Sequence, residues 1–415
     1  MTDKEDFDKS IKLSKTFLLL SGIRLTEIKW NRSIVTFIDR YLFYFNLFWL
    51  YTDVWGEINW LCEGLLKGTS FIDLSITVPC ITISLLGTSK ALFLINNRET
   101  LLKTVDKLRN IHPVDNDDFD ENSNHFRSFD VWNSDVTKNE DVVRKIVRES
   151  VKFVNFIGTL MYYICSVVIC AFPLMPVTSM AYDYYTTGQT EWKYPFLVNY
   201  FFDVNNVYMW PPVYVHHVIS TCIVGANVIG PDSLFYALCI YIQMHFRLLC
   251  HRLENVVGAG TQIRRELISA VQRHQELIAI VDQMEIMYSK STLFNILTSS
   301  LLICLSGFII TVLTDFSVVI AFGCFLIMSL TQIYLLCFFG DSLMRSSTQI
   351  SSAVYNSLWY ETDQRSKKIM LLILMRAQKP CKLTACKFAD LNLTAFTTIL
   401  SRSWSYFALL RTMYN

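Results

Sequence analysis

A stripe of polar side chains runs along the last apolar segment of the chain. The residues on this stripe follow one another at helical spacing. They are Thr398, Ser401, Ser405 and Thr412, together with the apolar Leu409. If this segment crosses a membrane as a helix, its polar face must turn toward protein or water, because lipid cannot satisfy it. Lining a pore would make Leu409 a hydrophobic constriction and Thr412 a polar position near the outer mouth. The alternative is packing against other helices, and periodicity alone leaves both interpretations open.

A second set of residues could enclose a small hydrophobic ligand. Apolar and aromatic side chains, with one imidazole and one hydroxyl, gather toward the same end of four other apolar segments. A cavity of this composition suits a small apolar molecule, although each residue taken singly is more often part of ordinary helix packing. The candidates are Leu74, Val78, Ile81, Tyr162, Cys165, Ile169, Phe172, His217, Thr221, Phe322 and Phe325.

Catalytic or metal chemistry finds little support in the sequence. The acidic run at 115–121 lacks the glycine and glutamate of an EF-hand calcium loop, which favours a solvated loop. His216 and His217 are adjacent on a predicted helix and point about 100° apart, so we expect that they cannot both bind one metal ion. No G-x-S-x-G, H-E-x-x-H or P-loop motif occurs. We therefore expect no enzyme, no cofactor and no metal site.

The elements that carry these residues are long apolar segments. Of the 415 residues, 52% are hydrophobic and 18% are charged, whereas soluble domains carry about 25% charged residues. A helix needs about 20 apolar residues to cross the bilayer. Seven segments are long enough, the last being the most polar, and they are 34–54, 71–95, 153–175, 213–242, 293–313, 317–339 and 391–413. The sequence predicts an all-α membrane protein with seven transmembrane helices.

The lysines and arginines beside these segments predict their orientation. Basic residues are frequent before the first segment and in every second connection after it. The alternate connections are nearly bare, with Lys67 and Lys193 as their basic residues. Positive residues stay on the cytosolic side, which places the N-terminus in the cytosol and the C-terminus outside. This topology is opposite to that of a G-protein-coupled receptor. The net charge of +1 gives no reason to expect a nucleic-acid partner.

The segments divide the chain into six parts. We expect a cytosolic start (1–33), four spans with the ligand pocket in their outer halves (34–242), and a helical cytosolic extension (243–292). Two further spans (293–339), cytosolic anchor helices (340–390) and the last, pore-lining span (391–415) follow. Both cytosolic stretches carry apolar residues at helical spacing between charges. We therefore expect these helices to continue below the membrane as a bundle.

Two stretches of the sequence resemble those of insect odorant receptors. One begins with Ala-Asp-Leu-Asn-Leu at 389–393 and ends with Ser-Tyr-Phe at 405–407. The other is Pro-Asp-Ser-Leu-Phe at 231–235, which leads into Phe-Arg-Leu-Leu at 246–249. Related gustatory receptors have a glutamine where this chain has Thr412. The topology, the length and the short connection between the fifth and sixth segments also fit, so the resemblance covers essentially the whole chain.

The resemblance implies an odorant-gated, non-selective cation channel with four subunits around a pore lined by the last helix. The chain looks like a tuning subunit that assembles with the common co-receptor, Orco, because it has no connection long enough for the insertion that marks Orco. Its ligand would be a small hydrophobic volatile. Its location would be the plasma membrane of an olfactory neuron dendrite, in contact with membrane lipid. The alternatives are a metabotropic receptor coupled to a G protein and a gustatory-type receptor channel.

Overall fold

A computed structural model describes most of the chain. The described residues are 3–25, 35, 37–69, 71–112, 136–189, 191–202, 207–256, 258, 260–313 and 315–414. The acidic run at 115–121 lies outside them.

Nearly all of the described residues are helical. A short π-helix (Ile38–Leu42) leads into the third helix, and a 3₁₀ turn (Trp359–Glu361) follows the ninth. In chain order the helices are α1 (Asp3–Ser10), α2 (Lys12–Leu20), α3 (Phe43–Lys67), α4 (Phe71–Asn96), α5 (Arg98–Ile111), α6 (Val136–Thr187), α7 (Trp210–Glu254), α8 (Thr261–Val312), α9 (Phe316–Asn356), α10 (Gln364–Ala377) and α11 (Leu393–Tyr414).

Seven of these helices form the membrane-spanning bundle, as the sequence predicts. Within the described residues, α4, α6, α7, α8 and α9 each contain a stretch long and apolar enough to cross a bilayer. The other two predicted spans lie in α3 and α11, which have 25 and 22 residues. At 1.5 Å per residue these helices are about 38 and 33 Å long, enough for a hydrocarbon core of about 30 Å. Both carry charged or hydroxyl side chains, which lower their mean hydropathy.

The inner part of the bundle has the larger apolar core. Residues 226–242 of α7 are all buried, since α2, α4, α6, α8 and α9 surround this stretch. A buried ion pair lies among them, with Lys90 Nζ 2.8 Å from both carboxylate oxygens of Asp232. The side chain of Gln332 donates to the same carboxylate. This pairing joins α4, α7 and α9 through a charge that would be costly to bury alone.

A two-stranded hairpin positions the start of α11. The strands β1 (Thr384–Ala385) and β2 (Ala389–Asp390) pair antiparallel, with Thr384 opposite Asp390. Glu285 of α8 accepts a hydrogen bond from the Thr384 backbone N–H at 2.7 Å. The sequence predicts helices over 340–390, whereas the structure has the two strands of this hairpin at 384–390. Cys386 and Lys387 in the turn have φ of 51° and 62°, and such left-handed residues reverse the chain between the two strands.

The outer connection between α6 and α7 folds back over α3. The Asn199 backbone N–H donates to the Gly56 carbonyl at 3.0 Å. A Cβ atom at Gly56 would lie 2.9 Å from Tyr200 Cε1, so this close approach requires glycine. Exposed aromatic residues lie at the adjoining end of α6 and in the connection itself, as in the aromatic belts at membrane surfaces. They include Tyr182, Tyr184, Tyr185, Phe201 and Tyr208.

Candidate ligand cavity and terminal helix

A cavity lies in the end of the bundle that the charge pattern places outside, with a volume of about 660 Å³ when all space between atoms is counted, including space open to solvent. Helices α3, α4, α6, α7 and α9 supply its walls, and Phe196 of the outer connection contributes to one side. Phe172 and Phe325 form an aromatic wall, with ring centroids 5.5 Å apart. Most of the remaining lining is apolar. The site can therefore hold a small apolar molecule.

Five of the eleven residues predicted to bind the ligand line this cavity. They are Cys165, Ile169, Phe172, Thr221 and Phe325. Three of them come from α6, whose inward face repeats at helical spacing. Ligand binding by these residues stays a prediction, but the structure brings them together around one space.

The other six predicted residues do not line the cavity. Leu74, Val78 and Ile81 lie on a different face of α4, which presents Cys80, Ile83 and Ser84 to the cavity instead. Two positions along a helix correspond to a rotation of about 200°, so the predicted face of α4 points almost the opposite way. Both faces of α4 are apolar, and periodicity could not separate them.

The remaining three lie around the cavity at different depths. Tyr162 is 44% exposed on the outside of α6. Phe322 is buried behind the aromatic wall, with its ring centroid 5.8 Å from that of Phe172. His217 lies beneath the lining and contacts the polar groups described next. Substitutions at these positions would reach a ligand only through their neighbours.

One end of the cavity is polar. Asp53 lines it, and its Oδ1 accepts a hydrogen bond from the Tyr200 hydroxyl at 2.5 Å. The same oxygen lies 2.9 Å from His216 Nδ1 and 3.3 Å from His217 Nε2. Burial raises the pKa of Tyr200, and the Asp53 charge adds to this effect, so its hydroxyl stays a donor. Helices α3 and α7 and the outer connection thus meet at a single carboxylate oxygen.

The expectation that His216 and His217 cannot share a metal ion is wrong. Their rings leave α7 in different directions, but one presents Nδ1 and the other Nε2 to the same oxygen of α3. The ligand atoms of Asp53, His216 and His217 all lie within 4.8 Å of one another and could hold a metal ion. The contacts of His216 and His217 with Asp53 explain this arrangement without a metal ion. Adjacent residues of α7 can meet at one point here because the shared partner, Asp53, comes from α3.

Glu57 is the residue that sequence reasoning missed most clearly. It lies one helical turn beyond Asp53, lines the cavity and is 3% exposed. Its Oε2 has no hydrogen-bond partner in the described part of the chain. A signal was present in the sequence, because Asp53 and Glu57 are carboxylates four residues apart in an otherwise apolar helix. Ionisable residues within a membrane segment usually mark a functional site.

The predicted pore residues share one exposed face of α11. Thr398, Ser401, Ser405 and Thr412 are exposed, and Leu409 is 58% exposed. The opposite face packs against the bundle through residues that include Phe396, Ile399 and Ser403. The polar stripe is therefore not used for packing within this chain. Among the described residues Asp390 pairs with Lys382 at 2.6 Å, and Arg402 lies exposed on α11.

A helical membrane bundle with an apolar cavity near one face and an exposed polar face on its last helix has the form of a ligand receptor. The family is shown by sequence, because residues 71–403 match the model of the 7tm odorant receptor family. The chain belongs to this family. It is thus an olfactory receptor and a multi-pass membrane protein, and small odorants are the ligands of its class.

Similar proteins extend over the whole chain. The putative odorant receptor 85d of Drosophila melanogaster is 25% identical over 97% of this chain and 94% of its own length. Odorant receptor 85c of the same species is 26% identical over 98% and 99%. The structure of the insect olfactory receptor OR5 from Machilis hrabei in complex with eugenol has a TM-score of 0.79 at 18% identity, covering 99% of this chain and all of that one. The likeness to this structure is one of fold.

Proposed function

We propose that the chain is the odorant-binding tuning subunit of a non-selective cation channel. It assembles with Orco in a tetramer in the plasma membrane of olfactory neuron dendrites, and a small hydrophobic volatile opens it. The cavity carries this proposal, since it offers an apolar space with a few polar groups in a chain of the odorant receptor family. An odorant that binds the open state better than the closed state shifts the channel toward opening.

Helix α11 supports a place at the pore. Its hydroxyl-bearing face is exposed on the single chain, and lipid offers no hydrogen bonds to such a face. In an assembled channel this face turns toward water or a neighbouring subunit. Leu409 then supplies an apolar constriction between polar positions, a geometry that resists conduction when the pore is dry.

A substitution that fills the cavity tests whether odorants bind there. Val168 lines the cavity, whereas its neighbour Val167 lies on the outer surface of α6. We expect Val168→Phe to raise the effective concentration of an activating odorant about tenfold or more, because it occupies ligand space at a cost of more than about 1.4 kcal/mol. Val167→Phe makes the same change toward lipid and should leave sensitivity within about threefold, or less than 1 kcal/mol.

The measurement is current in cells that co-express each variant with Orco, recorded against a panel of volatiles. Surface labelling and the current evoked by a co-receptor agonist control for assembly. Equal sensitivity of both variants at normal surface levels would show that odorants bind elsewhere. A fall in the agonist current in step with the odorant current would indicate misfolding, and Ile83→Phe on the opposite wall would then replace Val168→Phe.

The pore assignment is tested at two adjacent residues of α11. Leu409→Ser makes the exposed stripe more polar and should raise the resting current or alter ion selectivity. Leu410→Ser changes the half-buried neighbour and should mainly reduce assembly. If Leu409→Ser channels reach the surface and conduct unchanged, α11 is a packing helix in this subunit and Orco alone forms the conductive path.

The orientation is tested with epitope tags on intact cells. A tag after Asn415 should be labelled from outside, and a tag before Met1 should not. Labelling of the N-terminal tag alone would support the topology of a G-protein-coupled receptor and contradict the proposal.

A further inference from the structure

The polar end of the cavity carries two carboxyl groups, and its lining includes no lysine or arginine among the described residues. Asp53 and Glu57 are separated by one turn of α3, which places their Cβ atoms about 5–6 Å apart on one face. Both line the cavity, and they are 2% and 3% exposed. The wall thus presents acceptors and negative charge at one point of an otherwise apolar space.

The two carboxyl groups differ in how they are satisfied. Asp53 Oδ1 has Tyr200, His216 and His217 within 3.3 Å. The second oxygen of Asp53 and Oε2 of Glu57 have no partner among the described residues, and no ion pair with Glu57 occurs there. A buried polar group without a partner is unfavourable, and an unpaired buried charge is more unfavourable still. A group that enters the cavity with hydrogen-bond donors would remove that cost.

We propose that this cavity selects small apolar ligands that carry a protonated amino group. The inference rests on the proposed odorant-binding function and specifies its ligand class. The apolar body of the ligand lies against the aromatic wall of Phe172 and Phe325. The ammonium group donates to Glu57 and to the free oxygen of Asp53.

An amine satisfies this site better than the other common head groups of volatiles. The Asp53 carboxylate only accepts hydrogen bonds, so an ester or ketone, which has no donor, leaves its second oxygen unpaired. An alcohol brings one donor and no charge. An ammonium group brings three donors and a positive charge, and hydrogen bonds between ionised partners are about twice as strong as neutral ones. With an ordinary amine pKa of about 10, the ligand is protonated at neutral pH.

Three probes of similar size and shape separate the effect of the head group on activation from that of the apolar body. They are 2-phenylethylamine, 2-phenylethanol and propylbenzene, applied to cells that co-express the chain with Orco. We expect the amine to act at concentrations about tenfold or more below those of the alcohol, a difference of at least 1.4 kcal/mol. The hydrocarbon should be weakest, because it leaves both carboxyl groups unpaired.

Glu57→Gln removes the ionisable carboxyl group and keeps the size of the side chain. It should abolish the preference for the amine and leave sensitivity to 2-phenylethanol within about threefold. Glu99→Gln is the control for loss of a glutamate outside the cavity, since Glu99 is exposed on α5 and pairs with Lys103. It should leave the ranking of all three probes unchanged.

The ranking in the unaltered chain decides the proposal even if a variant fails to reach the surface. An amine no more effective than the alcohol overturns it, and so does an amine preference that survives in surface-expressed Glu57→Gln. If other volatiles act and Val168→Phe blocks them, the odorant-binding function stands and the ligand class alone is wrong. If no volatile response depends on this chain, both proposals fail.

Discussion

The inner and outer parts of α7 lie in regions that differ in how tightly they are packed. Its inner stretch, 226–242, is buried at every position, and Asp232 within it is fully paired with Lys90 and Gln332. Its outer stretch, 210–225, alternates between buried and exposed residues. This outer stretch borders a cavity where Glu57 and Ser220 have side-chain atoms without partners. One helix therefore joins a close-packed region to a region with unfilled space.

The difference shows how the chain separates stability from recognition. Dense packing and paired charges fix one arrangement of the inner helices. Unfilled volume and unpaired polar atoms in the outer region lower stability locally, and a ligand of the right shape and chemistry can restore the missing contacts. Substitutions of the same kind should consequently have different effects in the two regions.

The largest effect is expected at the buried ion pair. Asp232→Asn leaves Lys90 charged and without its counter-ion, which should lower the free energy of unfolding by about 3–5 kcal/mol. Asp390→Asn breaks the more exposed pair with Lys382 and should cost about 0–1 kcal/mol. The melting temperature of the detergent-solubilised protein and the amount at the cell surface measure both. Equal melting temperatures would mean that the inner pair does not stabilise the fold.

A smaller effect is expected where α9 meets the hairpin. A Cβ atom at Gly340 would lie 2.5 Å from the Leu391 carbonyl oxygen, so Gly340→Ala must displace backbone and should cost about 1–3 kcal/mol. Gly323 lies in the outer part of the same helix with nothing within 4 Å of such an atom. Gly323→Ala should therefore stabilise the helix by up to about 1 kcal/mol. Thermal melting of the two variants should move in opposite directions, and a shift in the same direction would contradict the contrast.

The smallest effects are expected from the loss of one methylene group. Ile240→Val in the inner core should cost about 0.5–1.5 kcal/mol and leave the ranking of odorants unchanged. Ile83→Val on the cavity wall should cost less, because part of that side chain already faces open space. It should favour bulkier odorants by a few-fold. A changed ranking in Ile240→Val alone would show that recognition is not confined to the outer region.

The overall fold could be predicted from the sequence because its signals are strong. Seven long apolar segments and the pattern of basic residues identify the bundle, and the structure contains a helix at each segment. The stripe on α11 could also be recognised from the sequence, because polar and apolar residues there alternate with a helical period. Periodicity alone left open whether the stripe packs, and in the structure it is exposed on the single chain.

The cavity was predicted less well, for physical reasons that particular residues illustrate. α4 is apolar all round, so its sequence does not distinguish Val78 from Cys80 or Ile83. The predicted first span ended at residue 54, which removed Glu57 from consideration although α3 continues to Lys67. Asp53 and His217 meet across two helices distant in sequence. Their contact depends on helix positions that no local pattern records.

The continuous burial of 226–242 has a consequence for how such receptors diversify. We expect most substitutions in this stretch to lower stability, because its positions are buried in packing and only Val228 and Ile229 of them also line the cavity. Change at the cavity wall meets fewer structural constraints and acts on the ligand at once. Lineages of receptors built on this plan can acquire new odorants by substitution near the outer surface while inheriting an intact scaffold.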